Sequence, residues 1–490
     1  MFPGKRMTRL RNAQPSVGFA QRLALWVGVA ALAAGSVSCS LVIDVEPDCQ
    51  DPVCSPYRCT TDGIACGVSC RTDAECAAGY SCDATAGVCE FSGCTVITGV
   101  ERVLLDLPEM VTELAMATLK PDAQPEQMLV AVGNRNLFGY RRFQMTGQPA
   151  PDRVDASQRL LVQVPTNPDV RRFSPAVVPY RRAGARDPDR FVFGFVDVSR
   201  SPQFPVVGNF IVDPDPVSPA STAVGPGAGR NTVLVGSSVA AAVGRVGFAW
   251  IDVLTAESRV YMAEVEPNGE RTDARDLVPV SRPGEKPERT TLAPAPDGWI
   301  LTYDGISGGE RQIFVVAIGA DGTVRSRSSL LAGRAASYAI DGVASAATAD
   351  GVVIAWQSGA EPDRALQRVW LSNDIIARMM AGDSVDLRAR QVDSGLQVPR
   401  RVAVAATPDE YYILSSGTRS GRDGMWLYRF SGEADALFAP VRVAPRTSTA
   451  IELFRVSATS AGFAVVWSER ESDQRSTVYY SHFFCESPSR

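Results

Sequence analysis

Five short apolar runs return along the chain at a nearly constant interval, and that interval limits the fold more than any other feature. "RVGFAWID" (245–252), "GWILTYD" (298–304), "GVVIAWQS" (351–358), "EYYILSSG" (410–417) and "GFAVVWSE" (462–469) align so that Trp250, Tyr303, Trp356, Ser415 and Trp467 share one position, 53, 53, 59 and 52 residues apart. Runs this short, rich in β-branched and aromatic residues and bounded by turn formers, are strand signals. Before them stand Val246-Gly247, Asp297-Gly298, Asp350-Gly351, Asp409-Glu410 and Ala461-Gly462, dipeptides expected to supply the positive φ of tight hairpins. Third strands are expected at "RVYMAEVEPNG" (259–269), "QIFVVAIGADG" (312–322) and "MWLYRFSG" (425–432), and a short fourth at "DLVPVSR" (276–282). Asn268-Gly269 and Asp321-Gly322 close two of these third strands.

"QMLVAVGN" (127–134) and "RFVFGFVD" (190–197) fit the same frame, which brings the units to seven. Four antiparallel strands per unit of roughly 50 residues, each unit unable to bury its faces alone, describe the blade of a propeller. The expected fold is therefore all-β, a seven-bladed β-propeller of four-stranded antiparallel blades over residues 95–486. A β-helix repeats at a much shorter period, and a pair of β-sandwiches has no reason to repeat at 53.

The first 38 residues read as an export signal. Lys5, Arg6, Arg9, Arg11 and Arg22 precede the apolar run "LALWVGVAALAAGSVS" (23–38), which ends on Cys39. Sixteen residues rich in Ala and Gly fall short of the ~20 that span a bilayer. The exit "SVSC" resembles a bacterial lipobox, although Ser36 stands where that family prefers Leu. The resemblance implies a lipid on Cys39, a tether over 39–48, and a membrane partner reached through that lipid. Ser40 is not the Asp that holds some such lipoproteins at the inner membrane, so the resemblance points to the outer membrane. Cleavage by an ordinary signal peptidase is the alternative.

Residues 49–94 hold Cys49, Cys54, Cys59, Cys66, Cys70, Cys76, Cys82, Cys89 and Cys94 with little aliphatic content. In an exported chain this pattern reads as a disulfide-held module. Zinc is disfavoured, because there is no C-x-x-C pair and His482 is the sole histidine of the chain. "CRTDAECAAGYSCDATAGVC" (70–89) resembles small cysteine-rich repeats of the Dickkopf N-terminal or EGF-like type in myxobacterial lipoproteins, which implies an extracytoplasmic module without naming a ligand.

Parity then bears on the last cysteine. With Cys39 lipidated, ten of the eleven cysteines are left to pair; the nine in the module are odd, so one must pair with Cys485. The seventh unit, ending "STVYYSHFFC", lacks a fourth strand, whereas "TVITGVERVLLDLP" (95–108) has no unit of its own. Adding 95–108 as the outer strand of the last blade would remove an open edge and set Cys94 beside Cys485. Cys89 is the second choice of partner.

A net charge of -5 and a pI near 5.3 give no footprint for a phosphate backbone, so nucleic acid is not expected as a partner. Sialidase-type Asp boxes, WD40 and kelch signatures, D-x-D-x-D-G calcium loops and G-x-S-x-G elbows are all missing from the sequence. His482 shares its strand with Tyr480 and Phe484 and reads as a packed residue rather than a base. Asp197, Asp252 and Asp304 close equivalent strands, Asp213 and Asp215 sit in "VDPDPV", and all read first as turn and cap residues. The insertion "NDIIARMMAGDS" (373–384) reads as a short helix that serves as lid, partner contact or filler. The expectation is a binding or scaffold lipoprotein without cofactor or metal, taking a protein or glycan ligand at the channel mouth. The alternative is an extracytoplasmic carbohydrate-active hydrolase or lyase using carboxylates there. Convergent carboxylates with raised pKa would favour the enzyme, and a flat Arg-, Ser- and aromatic-lined mouth would favour binding.

Overall fold

The computed structural model describes residues 69–71, 75–77, 80–83, 87–91, 93–103, 111, 113–120, 126–133, 138–145, 161–162, 173–186, 190–197, 204–211, 220–224, 232–254, 258–267, 279–334, 342–359, 363–444, 451–472 and 475–486. The signal segment, Cys39, the tether, Cys49, Cys54, Cys59, Cys66, residues 104–108, Asp213, Asp215 and Asn268-Gly269 lie outside these residues.

The described chain is all-β with one helix. A small hairpin, β1 (Tyr80–Asp83) and β2 (Val88–Phe91), precedes β3 (Cys94–Val103). Antiparallel sheets then follow one another in chain order. The first holds β4 (Glu113–Leu119), β5 (Glu126–Gly133), β6 (Phe138–Met145) and β7 (Leu161–Val162); the second holds β8 (Phe173–Tyr180), β9 (Arg190–Asp197), β10 (Phe204–Ile211) and β11 (Ala220–Ala223). The third has β12 (Thr232–Ala242), β13 (Arg245–Leu254) and β14 (Ser258–Val265); the fourth has β15 (Arg289–Ala295), β16 (Gly298–Ser307), β17 (Glu310–Gly319) and β18 (Val324–Arg334). The fifth comprises β19 (Val343–Ala347), β20 (Gly351–Ser358), β21 (Ala365–Ser372) and β22 (Arg390–Gln391), with helix α1 (Asn373–Met380) between the last two. The sixth comprises β23 (Leu396–Ala406), β24 (Tyr411–Arg419), β25 (Arg422–Phe430) and β26 (Val441–Ala444). The seventh joins β27 (Ile451–Ala458), β28 (Gly462–Ser472) and β29 (Arg475–Cys485) to β3 from the other end of the chain.

Each of the seven repeated runs is the second strand of its sheet. Consecutive sheets bury a hydrophobic core between them. Tyr180, Val192 and Val207 of the second sheet meet Phe248 and Trp250 of the third, and Ile300, Ile313 and Val315 of the fourth meet Ile354 and Trp356 of the fifth. The order returns to its start: Leu453, Val466, Val478 and Tyr480 of the seventh sheet pack on Leu114, Met116, Met128 and Val130 of the first. Packing rather than a continuous hydrogen-bond ladder makes this connection. Polar contacts reinforce it, among them Thr118 Oγ1 to Ser457 Oγ at 2.9 Å and Glu126, which accepts from Ser460 N and Oγ at 2.8 and 2.9 Å.

The closing strand is pinned on both sides. β3 pairs antiparallel with β29, with Cys94 opposite Cys485, and the two cysteines form a disulfide. Arg429, 2 % exposed, pairs with Glu410 at 3.0 Å and donates to the carbonyls of Gly93 (3.3 Å) and Glu486 (2.8 Å). Cys70–Cys82 and Cys76–Cys89 staple the preceding module, which assigns Cys89 within the module. Arg422 Nη1 donates to the Cys82 carbonyl and ties that module to the sixth sheet.

Several local expectations require correction. The hairpins leading into second strands are not built on positive-φ glycines at Gly298 and Gly351. Thr348, Thr407 and Thr459 make three of these turns: each threonine N–H donates to the carbonyl of the residue three positions on (Gly351, Glu410, Gly462), while its hydroxyl accepts from Asp350, Glu410 or Ala461 N. The glycines answer a different demand. A β-carbon on Gly298, Gly351 or Gly462 would run into the carbonyl oxygen of Ile318, Leu371 or Phe483 on the neighbouring third strand. Gly247 is likewise a strand residue, since the positive φ (74°) falls on Gly244; Gly247 instead makes room for Leu292 and Trp299 of the next sheet. Gly322, by contrast, does turn with positive φ (75°), as expected of Asp321-Gly322.

Of the fourth strand expected over 276–282 only residues 279–282 are described, and they lie in irregular backbone joined to β14 by Val280 N to Val260 O at 2.7 Å. Helix α1 starts on Ser372, whose side chain accepts from Ile375 N, and buries Ile376 and Met379 among Leu330, Ala332, Val385 and Leu387. The insertion is core filler. Phe484 is exposed although Tyr480 and His482 are buried.

Candidate functional site: an arginine-bearing cavity between first strands

The first strands β4, β8, β12, β15, β19, β23 and β27 touch one another in succession, β27 touching β4, and line a common cavity of about 770 Å³. That volume lies within the 300–1,000 Å³ typical of small-molecule sites. Most of the wall is short. Opposite the residue that precedes the repeated aromatic stand Ser238, Thr291 and Ala344 in the third, fourth and fifth sheets. In the seventh sheet the same position, opposite Val466, carries Arg455.

Arg455 shares the wall with Arg289, Arg401 and Glu113, all four half-buried. Burial pushes the Arg455 guanidinium pKa down; Glu113 opposes that shift, and Arg401 and Arg289 add to it by like-charge repulsion. Arg455 Nη1 donates to the carbonyl of Phe454 at 2.8 Å. Register explains the grouping of the others: Glu113 pairs with Gly133 and Arg289 with Asp304, both one step beyond the repeated position.

Arg401 is delivered by a distortion. Between Gln397 and Ala403 the pairing of β23 with β24 slips twice, and Val398 (φ 47°) and Arg401 (φ 54°) adopt left-handed backbone. A β-branched residue there is strained and must be held by its surroundings. Ser415 Oγ donates to Arg401 O at 2.9 Å, and Ser416 Oγ to Arg400 O at 2.8 Å. Ser415 is the position at which four other units carry Trp or Tyr. The break in the repeat at Ser415 is the sequence signal for this site.

The carboxylates are arranged for structure. Asp304 is fully buried and accepts from Arg289 N at 2.7 Å and from Arg311 Nη1 at 3.3 Å. Burial pushes its pKa up to about 6, with Arg289 and Arg311 pulling it down and Glu288 pushing it up. Glu288, on the cavity wall, is gripped by both terminal nitrogens of Arg311 at 2.8 and 3.2 Å. Asp304 and Asp252 do not line the cavity, and the side chain of Asp197 lies outside the described residues. His482 is 2 % exposed, with Nε2 3.3 Å from Thr459 Oγ1, in the sheet rather than on the cavity wall. The sulfurs of Cys70, Cys76 and Cys82 lie within 4.8 Å of one another, and they do so as members of the two module disulfides.

No protein-family model matches the chain, and no curated protein matches it in sequence. Among solved structures it is similar to a lectin of the fungus Aleuria aurantia in complex with alpha-methyl-L-fucoside (13 % identity, 69 % of this chain and 97 % of that one, TM-score 0.39). A second structure of that lectin, described as a six-bladed β-propeller, matches at 12 % identity over 69 % and 98 % of the two chains with TM-score 0.38. The sialidase of Trypanosoma rangeli matches at 10 % identity over 78 % and 58 %, with TM-score 0.40. Likenesses this distant assign neither ligand nor activity.

Proposed function

We propose that this chain is a non-enzymatic binding protein, a seven-bladed β-propeller whose channel between the first strands is the ligand site, exported and held at the outer membrane by lipid on Cys39. The sequential cores between sheets, returning from the seventh to the first, support the propeller reading. The wall of the cavity carries the functional reading. It presents arginines, hydroxyls and small apolar side chains, and of its two described carboxylates Glu288 is committed to Arg311 while Glu113 faces Arg455. General acid–base chemistry needs a pair of carboxylates within reach of one substrate, at least one of them with a tuned pKa. Asp304 has the tuned pKa and no access to the cavity.

Native mass spectrometry of the mature protein against a panel of small molecules and oligosaccharides tests both parts. Retained, chemically intact ligand supports binding, whereas cleaved product in the same mixtures would overturn it in favour of a hydrolase or lyase. Recovery of an unmodified Cys39 at or near the mature N-terminus would remove the anchor.

A further inference from the structure

Resting on the cavity being the ligand site, we infer that it selects oxyanions: small molecules carrying carboxylate or sulfate groups, gripped by Arg289, Arg401 and Arg455. The described wall carries three guanidiniums and two carboxylates, Glu113 and Glu288, and Glu288 is held by Arg311 from outside the wall, so positive charge is in excess there. Arg455 is desolvated there and, although Glu113 attracts it, it also faces the like charges of Arg401 and Arg289. An oxyanion reverses that cost, since guanidinium forks donate paired, charge-assisted hydrogen bonds to carboxylate and sulfate oxygens.

Two independent features show that the chain maintains this arrangement. The first is size. Ser238, Thr291 and Ala344 leave the long Arg455 side chain and a ligand room at the level where Arg455 stands. The second is the left-handed Val398 and Arg401 backbone, kept in place by the Ser415 and Ser416 hydroxyls in a unit with serine where four others carry Trp or Tyr. Strained backbone held by dedicated hydrogen bonds clusters at ligand sites. Among the described residues the wall has no aromatic side chain on which the face of a neutral sugar could stack, and that favours recognition through charge.

Isothermal titration of the mature protein with citrate, with sodium sulfate and with the uncharged triamide of citrate tests the proposal, at two salt concentrations, in the native chain and in Arg455→Met and Arg401→Gln. We expect citrate to bind one per chain, more weakly at the higher salt, and the triamide not to bind. Arg455→Met is expected to weaken citrate at least tenfold while its melting temperature changes little, because relief of desolvation and like-charge repulsion offsets the lost contacts with Glu113 and Phe454 O. If Arg455→Met fails to fold, the same loss in Arg401→Gln decides the point. Sulfate binding tighter than citrate would identify inorganic oxyanions as the source of the ligand group, and citrate binding tighter would identify organic acids. Equal affinity for citrate and its triamide, or unchanged citrate affinity in both variants, would overturn the proposal. Neutral molecules binding in the cavity while oxyanions do not would defeat this inference alone; no binding of either kind would defeat the ligand-site reading with it.

Discussion

Replacing Cys94 or Cys485 with serine removes the covalent link between the start of β3 and the end of β29, two residues separated by 391 positions in sequence. In the chain-entropy account, closing a loop of that length restricts the unfolded ensemble by an amount equivalent to about 6 kcal/mol at 25 °C. The folded state has little reason to change when the sulfur bridge is lost. Glu486 N still donates to Gly93 O at 2.9 Å, and Arg429 still holds the carbonyls of Gly93 and Glu486. The effect therefore falls on the unfolded chain, and the free energy of unfolding should drop by roughly 3–6 kcal/mol. Urea denaturation of Cys94→Ser, Cys485→Ser and the double variant measures it, with the module disulfides left oxidised in all three. One shared bond requires each single variant to lose as much as the double. Losses that add between the two positions, or a double variant within about 1 kcal/mol of the native chain, would refute the reasoning.

Asp304 makes a prediction about pH. Its folded pKa of about 6 lies above the ordinary carboxylate value, so in the window between the two the folded state keeps a proton that the unfolded chain has released. Stability from this group is then greatest in acid and falls as pH rises from ~4 to ~6, by about 3 kcal/mol. Asp304→Asn should flatten the urea-derived stability across pH 4–7, and an unchanged slope would count against the assignment. Met379→Ala tests the role of α1: as a fully buried core residue it should cost about 2–5 kcal/mol, and a loss below ~1 kcal/mol would make the helix a surface appendage.

Periodicity and turn spacing are local properties, and they suffice to place the second strand of every sheet from Met128 in β5 to Phe463 in β28. Counting is local too: an odd set of cysteines and one strand missing from the last unit lead to Cys94 beside Cys485 and to β3 as an outer strand. The glycines before the second strands were visible while their reason was not. Whether a residue needs a positive φ or needs to lack a β-carbon depends on where the Ile318 or Leu371 carbonyl comes to rest, and that is decided by the twist of the paired strand. The insertion reads as a short helix in sequence, but only the neighbouring sheet shows that Ile376 and Met379 close a core.

The cavity depends most on tertiary structure. Arg289, Arg401 and Arg455 lie on β15, β23 and β27, and each taken singly is an ordinary polar residue near the start or bend of a strand. Sequence order sets which unit carries each arginine. Their meeting on one wall arises only when first strands from different units are brought around a common space, with a two-step register slip in β23 turning Arg401 toward it. Repeats therefore specify the scaffold through short-range hydrogen-bonding and burial rules, whereas the site comes from the departures from the repeat. Ser415 in place of an aromatic and Arg455 in place of a small residue acquire meaning only once distant strands have been packed side by side.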